Sequence, residues 1–275
     1  MNCKRVFSTV SGVVAATLLA GWILFPILWG VIVSFKSRVD ALSMPPQFFF
    51  TPTMSNYVAA FVDGKYAQTI LNSAVIALSS TILAIALGVP AAYVFSRTRG
   101  KIYDRASLGM LTVRMVPATV PALPLFLIFA KLGWIDSYAA IILTHTGINL
   151  ALVTWIMRGF FDEVPRAIDE ASILDGDTRA SAMMRQVIPL CTPGLLVTAA
   201  FCFVNSWNEF FLALMLTGYD TQPFTVAVPS LITPHGTYWG QVTAITTVGL
   251  LPGLLFAFLA RRYIVRELTA GAVWR

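Results

Sequence analysis

Charged residues are scarce in this chain. Only 12% of its 275 residues are Asp, Glu, Lys or Arg, about half of the roughly 25% that soluble globular domains carry. Hydrophobic residues make up 57% of the chain, and its mean hydropathy is +0.75. This composition excludes an ordinary soluble domain and indicates an integral membrane protein.

The sequence also lacks the residue patterns of common catalytic and metal sites. His145 and His235 are far apart in the chain and form no His-Glu-x-x-His spacing, and no glycine-rich phosphate loop ends in Gly-Lys-Ser/Thr. Cys3, Cys191 and Cys202 have no metal-ligand spacing and are predicted to stay reduced. We therefore expect a chain that is not an enzyme, that binds no metal or cofactor, and that cannot hydrolyse ATP by itself.

Six long apolar runs fill the sequence. A helix needs roughly 20 apolar residues to cross a hydrocarbon core of about 30 Å. We predict an all-α integral membrane protein whose six spans cover residues 10–35, 69–95, 108–132, 138–157, 193–216 and 242–260. The first run is too long for a secretion signal, so we interpret it as a membrane helix. The spans predict a single transmembrane domain over residues 1–275.

Basic residues are unevenly divided between the two sets of span flanks. Cytoplasmic loops hold an excess of Lys and Arg. One set contains Lys4, Arg5, Arg97, Arg99, Lys101, Arg105, Arg158, Arg166, Arg179, Arg185, Arg261, Arg262, Arg266 and Arg275, and the other contains Lys36, Arg38, Lys65 and Lys131. The bias predicts a multi-pass protein with both termini in the cytoplasm. The net charge of +6 thus reflects topology, and no aromatic-basic pattern predicts a nucleic-acid partner.

A polar segment separates the fourth and fifth spans. Pro165 suits the first turn of a helix, and Gly176 permits the left-handed backbone that ends one. We predict a second short helix over residues 178–187, after which Pro189 redirects the chain. The two helices form a helix-turn-helix on the membrane surface, called the elbow below, within the cytoplasmic loop 158–190.

Each elbow helix has an apolar and a polar side. In the first helix, Ile173 and Leu174 are expected on the apolar side, while Asp169 and Glu170 are expected in water. In the second helix, the residues predicted to point inward are Ala180, Met183, Met184 and Val187.

The elbow carries a pattern of Glu-Ala-Ala, three residues, Gly, nine residues, Ile, one residue and Leu-Pro. Here it reads Glu170-Ala171-Ser172, Gly176, Gln186 and Ile188-Pro189, with Ser in place of the second Ala, Gln in place of Ile and Ile in place of Leu. The chain resembles the membrane permeases of ABC importers, whose signature loop has this pattern. The resemblance implies the type I importer permease fold with six transmembrane helices. It also implies that the residues coupling the permease to an ATPase subunit are Glu170, Ala171, Ser172, Asp175, Gly176 and Pro189.

Other motifs narrow the resemblance to carbohydrate importers. Pro26-Ile27-Leu28-Trp29, Ser34-Phe35-Lys36, Trp207-Asn208-Glu209-Phe210 and Leu268-Thr269-Ala270-Gly271-Ala272-Val273 look like the shorter permease of the maltose-type system. This resemblance implies a second, homologous permease, an ATPase dimer that binds ATP and Mg²⁺, an external solute-binding protein, and the bacterial inner membrane. In that family the C-terminal tail, residues 264–275 here, reaches between the ATPase subunits. The implied contacts are Gly271, Trp274 and Arg275.

Polar residues inside predicted spans are costly and are therefore candidates for a transport pathway. Arg114 either extends to the membrane edge or faces a cavity, where it would bind an anionic group on a sugar derivative. In the fifth span, Asn205, Trp207, Asn208 and Glu209 either bind a sugar through ring stacking and hydroxyl hydrogen bonds or join helices to one another. A kink in the third span is predicted from Pro117, Pro121 and Pro124.

Together these features predict a permease subunit of a binding-protein-dependent ABC importer for a carbohydrate, a polyol or a sugar derivative. Two alternatives remain open. One is an ion-gradient-driven secondary transporter or channel, although the sequence has no convincing internal repeat. The other is a membrane-embedded hydrolase or acyltransferase in which His145 or Asp136 pairs with a nucleophile.

Overall fold

The structure is a computed structural model that describes residues 3–98, 100–234 and 236–270. Regular structure in this part of the chain is almost entirely helical. The helices are α1 (Cys3–Ser34), α2 (Arg38–Leu42), α3 (Ser55–Phe61), α4 (Tyr66–Arg97), α5 (Lys101–Met115), α6 (Thr119–Lys131), α7 (Tyr138–Glu163), α8 (Arg166–Leu174), α9 (Arg179–Ala182), α10 (Ile188–Leu190), α11 (Thr192–Trp207), α12 (Phe211–Leu216), α13 (Phe224–Ala227) and α14 (Trp239–Ala270). A π-helical turn, Met183–Val187, joins α9 to α10, and a 3₁₀ turn, Val228–Leu231, follows α13. Two short strands, β1 (Ile232–Thr233) and β2 (Gly236–Thr237), pair antiparallel with Ile232 opposite Thr237.

Four helices within the described residues are long and apolar enough to cross a membrane. They are Gly12–Ser34 of α1, the whole of α4 and α7, and Trp239–Phe256 of α14. The number rises to six if each of two bent helix pairs counts as one span. Four of the six predicted spans therefore correspond to continuous helices, and the third and fifth overlap the two bent pairs.

The third predicted span is broken. α5 and α6 are bent by 95° relative to each other, and Pro117 lies in the break, so the predicted kink is confirmed. α5 begins at Lys101, seven residues before the predicted start of this span at residue 108. α6 has 13 residues, about 20 Å at 1.5 Å per residue, which is too short to cross a core of about 30 Å.

The fifth predicted span, 193–216, is also discontinuous. α11 ends at Trp207, and α12 begins at Phe211 after three residues outside the helices. At the other end of α11, the segment Arg179–Leu190 is bent by 85° relative to it. The polar cluster Asn205–Glu209 thus lies at a helix break, a position where freed backbone groups need partners.

Within the described residues, the chain forms two compact units. The larger comprises Gln68–Ala227 and the described part of Leu251–Arg275. α4 and α7 approach closely in it, since a Cβ on Gly88 would lie 2.7 Å from Val153 Cγ1. One apolar core joins α4, α7, α11 and the elbow, and its larger members include Tyr93, Met157, Phe161, Met183, Val187 and Cys202. A second core joins α4, α6, α7 and α12 through Ile76, Phe129, Ile141 and Leu216.

The smaller unit comprises the described parts of Met1–Ala67 and Val228–Leu250. Its first loop folds back onto the end of α1 around Lys36, whose side chain is 1% exposed. The Lys36 ammonium donates to Gln47 O at 2.6 Å and lies 4.8 Å from the Trp29 ring centroid. Asn56 Nδ2 donates to the carbonyls of Ser34 and Lys36. These contacts order the loop after α1.

The predicted tail contacts Gly271, Trp274 and Arg275 lie outside the described residues. α14 continues to Ala270, so residues 264–270 are helical. The single-domain organisation over residues 1–275 and the role of the tail stay predictions.

Candidate functional site

The first elbow helix is positioned by its two ends. α8 begins at Arg166, directly after Pro165, and Gly176 has a φ of 94°, so both predicted boundary signals are confirmed. Asp177 N donates to Ser172 O and Gly176 N donates to Ile173 O, both at 3.0 Å. These bonds satisfy carbonyls that the end of a helix leaves free.

Asp177 joins the two halves of the elbow. Ser172 Oγ donates to Asp177 Oδ2 at 2.7 Å, and Ser181 Oγ donates to Asp177 Oδ1 at 2.6 Å. These hydroxyl bonds, first Ser181 and then Ser172, hold the pKa of Asp177 below its usual range. Ser172 replaces the Ala of the signature pattern, and its hydroxyl therefore has a specific partner in this chain.

The expected polarity of the first elbow helix is wrong at three positions, one of which is Ile173, predicted on the apolar side but 42% exposed. Asp169, predicted to lie in water, is buried at 6% exposure, whereas Leu174, predicted on the apolar side, is 88% exposed. Asp169 Oδ2 lies 2.8 Å from Arg97 Nε at the end of α4, and Asp169 Oδ1 accepts a hydrogen bond from Tyr93 Oη. The Nε–H direction misses the oxygen, so the Arg97 contact is an ion pair and not a hydrogen bond. Glu170 is exposed, as predicted.

The second half of the elbow follows the prediction in part. Residues 178–187 were predicted as one helix, but α9 ends at Ala182 and a π-helical turn follows it. Met183 and Val187 point inward, while Met184 is 60% exposed. Ala180, also predicted inward, is exposed. Gln186 is exposed, so the polar substitution in the signature pattern faces away from the core.

Glu209 lies at the break between α11 and α12 and caps α12. Its carboxylate accepts from Leu212 N and Ala213 N, each at 2.9 Å. Its Oε2 also lies 3.3 Å from His145 Nε2 on α7. The other ring nitrogen of His145 lies 2.6 Å from Ser206 Oγ. The Glu209 carboxylate therefore stabilises the helix break.

The other residues of the predicted pathway cluster, Asn205, Trp207 and Asn208, also lie at or next to the break. Asn205 Nδ2 donates to Asn149 Oδ1 on α7 at 2.9 Å. Trp207 is 3% exposed, and its ring centroid lies 5.2 Å from that of Phe224. Asn208 is exposed and donates within its own helix to Val204 O. Asn205, Trp207 and Glu209 thus join helices, and Asn208 points to the surface of this unit.

Arg114 lies in the last turn of α5, immediately before the break in the third span. Its side chain is exposed. A cation at this position complements the negative end of the helix dipole. Both readings of Arg114, at the membrane edge and towards a pathway, are compatible with this placement.

The side chains in this network contact one another in the order Ser206, His145, Glu209, which is the spatial order of a nucleophile, a base and an orienting carboxylate. Ser206 is nevertheless 5% exposed, and its Oγ is also 2.9 Å from Ser80 Oγ. The Glu209 oxygens are bonded to the backbone of α12. This arrangement is a buried hydrogen-bond network that offers no nucleophile to a substrate. Among residues 3–98, 100–234 and 236–270, no group of three or more His, Cys, Asp or Glu side chains forms a metal site.

Asp136 is a structural residue that the sequence analysis considered only as a catalytic partner. It has a φ of 58°, and its Oδ1 accepts from Gly218 N, Thr221 N and Thr221 Oγ1. Burial acts to raise the pKa of Asp136, but the hydrogen bonds from Thr221 and from the backbone N–H groups of Gly218, Asp220 and Thr221 outweigh it and hold this pKa below its usual range. Asp136 therefore ties the loop after α12 to the loop before α7.

Comparison with known proteins assigns this architecture. The family described as "Binding-protein-dependent transport system inner membrane component" matches residues 84–269. The chain belongs to this family. The permease is 32% identical to the sulfoquinovosyl glycerol transport system permease SmoH of Agrobacterium fabrum, over 94% of this chain and 92% of SmoH. It is 30% identical to the trehalose/maltose transport system permease MalG of Thermococcus litoralis, over 98% of each chain.

A solved structure confirms the fold of the permease. A chain of a bacterial ABC transporter involved in the import of the acidic polysaccharide alginate superimposes with a TM-score of 0.78 at 20% identity, over 96% of this chain and 98% of that chain. The predicted type I ABC importer permease fold is thus confirmed. The protein is a transmembrane permease of a binding-protein-dependent ABC importer.

Proposed function

We propose that this permease carries a carbohydrate or sugar derivative into the bacterial cytoplasm, driven by ATP hydrolysis on partner subunits. The observation that carries the proposal is the elbow, with its glycine turn at Gly176 and its exposed Glu170 and Leu174, in a chain of this family. A helix that keeps a large apolar side chain such as Leu174 at 88% exposure beside a charged one suits a protein interface. The partner at this interface is a nucleotide-binding subunit.

The substrate class is supported by the relatives. SmoH is named for sulfoquinovosyl glycerol, MalG for trehalose and maltose, and the structural relative imports an acidic polysaccharide. An anionic sugar derivative would need a cation on its route. Arg114, exposed at the end of α5, supplies a guanidinium that suits a sulfonate or carboxylate.

The proposed assembly contains this permease, a second homologous permease, an ATPase dimer that holds ATP and Mg²⁺, and an external solute-binding protein. The complex lies in the inner membrane with both termini of this chain in the cytoplasm. The elbow, Gly271, Trp274 and Arg275 face the ATPase subunits. The loops predicted to lie outside the cell, residues 36–68 and 218–241, face the binding protein.

Transport follows alternating access in this proposal. ATP binding closes the ATPase dimer, the elbow moves with it, and the spans rearrange from inward-open to outward-open. The two broken spans are suited to such a change, because half-helices can reorient without unfolding a continuous helix. Hydrolysis then returns the permease to its starting state.

The composition of the purified complex tests the proposal. The tagged permease is extracted in mild detergent, and its partners are identified and counted by mass spectrometry. We expect one dissimilar permease and two ATPase subunits for each copy of this chain. Recovery of the chain alone, or as a homomer without an ATPase, would contradict the proposal.

A further inference from the structure

Four contacts join the last turns of α4 to the elbow helix α8. Tyr93 Oη donates to Asp169 Oδ1, and Arg97 Nε lies 2.8 Å from Asp169 Oδ2. In the opposite direction, Arg166 Nη2 donates to Ser96 O at 2.8 Å and Arg166 Nη1 donates to Arg97 O at 3.3 Å. Side chains of both helices therefore reach across the junction.

The central ion pair is buried. The Arg97 and Asp169 side chains are 11% and 9% exposed. Removal of one partner from a buried pair leaves an uncompensated charge, which is far more costly than loss of a surface pair. The pair therefore resists separation of α4 from α8.

Arg97 also connects this junction to α7. Its Nη1 donates to Phe161 O at 2.7 Å, and the Phe161 ring contacts the Tyr93 ring edge to face with centroids 5.8 Å apart. α7 leads directly into α8 along the chain through Val164 and Pro165. α4 lacks such a covalent link, so its attachment to the elbow depends on side chains.

We infer that Tyr93, Arg97 and Asp169 form a clamp that makes α4 move as one body with the elbow. In this arrangement, α4 receives the movement of the elbow through the clamp, and α7 receives it through its chain connection to α8. The three residues are positioning residues, since they act through the orientation of α8. The inference rests on the proposed function, because it requires an ATPase subunit to move the elbow.

The first test measures coupling in the reconstituted complex. In Asp169→Asn, which keeps the size of the side chain but removes the charge, we expect the substrate imported per ATP hydrolysed to fall roughly three- to tenfold, within the range of coupling changes that single substitutions cause. Arg97→Lys, which keeps the charge, should restore part of the loss seen in Arg97→Gln. An unchanged transport-to-hydrolysis ratio in both Asp169→Asn and Arg97→Gln would overturn the clamp.

A matched control uses another ion pair at the same end of the permease. Arg158 Nη2 lies 3.2 Å from Asp104 Oδ1, with 28% and 61% side-chain exposure, and this pair joins α5 to α7 without touching α8. Asp104→Asn should leave the ratio unchanged. An equal fall in Asp104→Asn and Asp169→Asn would show a general charge effect and overturn the clamp.

The second test does not depend on loss of the pair. Val94 on α4 and Ile173 on α8 line a cavity of about 350 Å³ beside the clamp. Val94→Cys and Ile173→Cys, joined by a short bismaleimide in a Cys3→Ser background, would lock the two helices together. Since the clamp already holds them as one body, we expect crosslinked transporters to retain transport, whereas arrest of transport by the crosslink would overturn the inference.

Failure of the clamp is distinguishable from failure of the proposed function. If the wild-type complex hydrolyses ATP in response to the loaded binding protein and the clamp variants behave like wild type, the clamp alone is wrong. If the wild-type chain assembles with no ATPase, the proposed function is wrong, and the clamp inference, which depends on it, is wrong as well.

Discussion

The imidazole of His145 on α7 and the carboxylate of Glu209 meet 3.3 Å apart at the point where the fifth span breaks. The same carboxylate accepts hydrogen bonds from Leu212 N and Ala213 N in the first turn of α12. A single side chain thus caps the second half-helix and attaches the break to the neighbouring span α7. These contacts therefore define the position of the break in the fold.

Replacement of Glu209 should destabilise the break. We expect Glu209→Ala to lower the stability of the purified permease by about 1 to 2 kcal/mol, the usual cost of a lost helix cap. Thermal unfolding in detergent measures the change. Asn208→Ala is the control, because the exposed Asn208 side chain donates to Val204 O in α11 instead of capping α12 and its loss should cost only about 0.5 kcal/mol, the low end for one hydrogen bond. Equal effects of the two substitutions would contradict the capping role.

Replacement of Gly176 should uncouple the permease. Its φ of 94° is strained for a residue with a Cβ, at a cost of about 1 to 2 kcal/mol. We expect Gly176→Val to distort the elbow turn, so that ATP hydrolysis continues while substrate uptake falls. Gly176→Asn should retain more coupling, since Asn adopts this conformation more readily. Full coupling in Gly176→Val would show that the turn geometry does not matter.

The stability that the Asp136 carboxylate contributes should depend on pH. Because the folded-state pKa of Asp136 lies below its usual range, its stabilising effect is fully present above the unfolded pKa of about 3.9 and is lost as pH falls through the lower folded-state pKa. The difference in unfolding temperature between wild type and Asp136→Asn should be constant at neutral pH and shrink in strongly acidic buffer. A difference that stays the same throughout the acidic range would contradict this assignment.

Arg114 should affect charged substrates only, if it lines the route. We expect Arg114→Gln to raise the KM for an anionic sugar about tenfold, the equivalent of about 1.4 kcal/mol, and to leave the KM for a neutral sugar unchanged. Lys131→Gln is the control, because Lys131 is an exposed basic residue in the last turn of α6. Unaltered kinetics for the anionic substrate in Arg114→Gln would exclude Arg114 from the route.

Local signals in the sequence predicted the boundaries of the first elbow helix well, because Pro165 and Gly176 act through their own backbone geometry. The prediction that Asp169 lies in water was wrong, because its partner Arg97 lies on another helix and no local pattern reveals the pair. The prolines predicted a kink in the third span but not its angle of 95°, which packing determines. The role of Asp136 was missed for the same reason, because its hydrogen-bond donors follow α12.

Uptake by the reconstituted complex tests the central claim most directly. Proteoliposomes that contain the permease with its co-purified partners are supplied with the binding protein, a labelled sugar and internal ATP, while ionophores collapse all ion gradients. The account predicts uptake that requires both ATP and the binding protein and that persists without gradients. Uptake that proceeds without ATP and stops when the gradients collapse would contradict it.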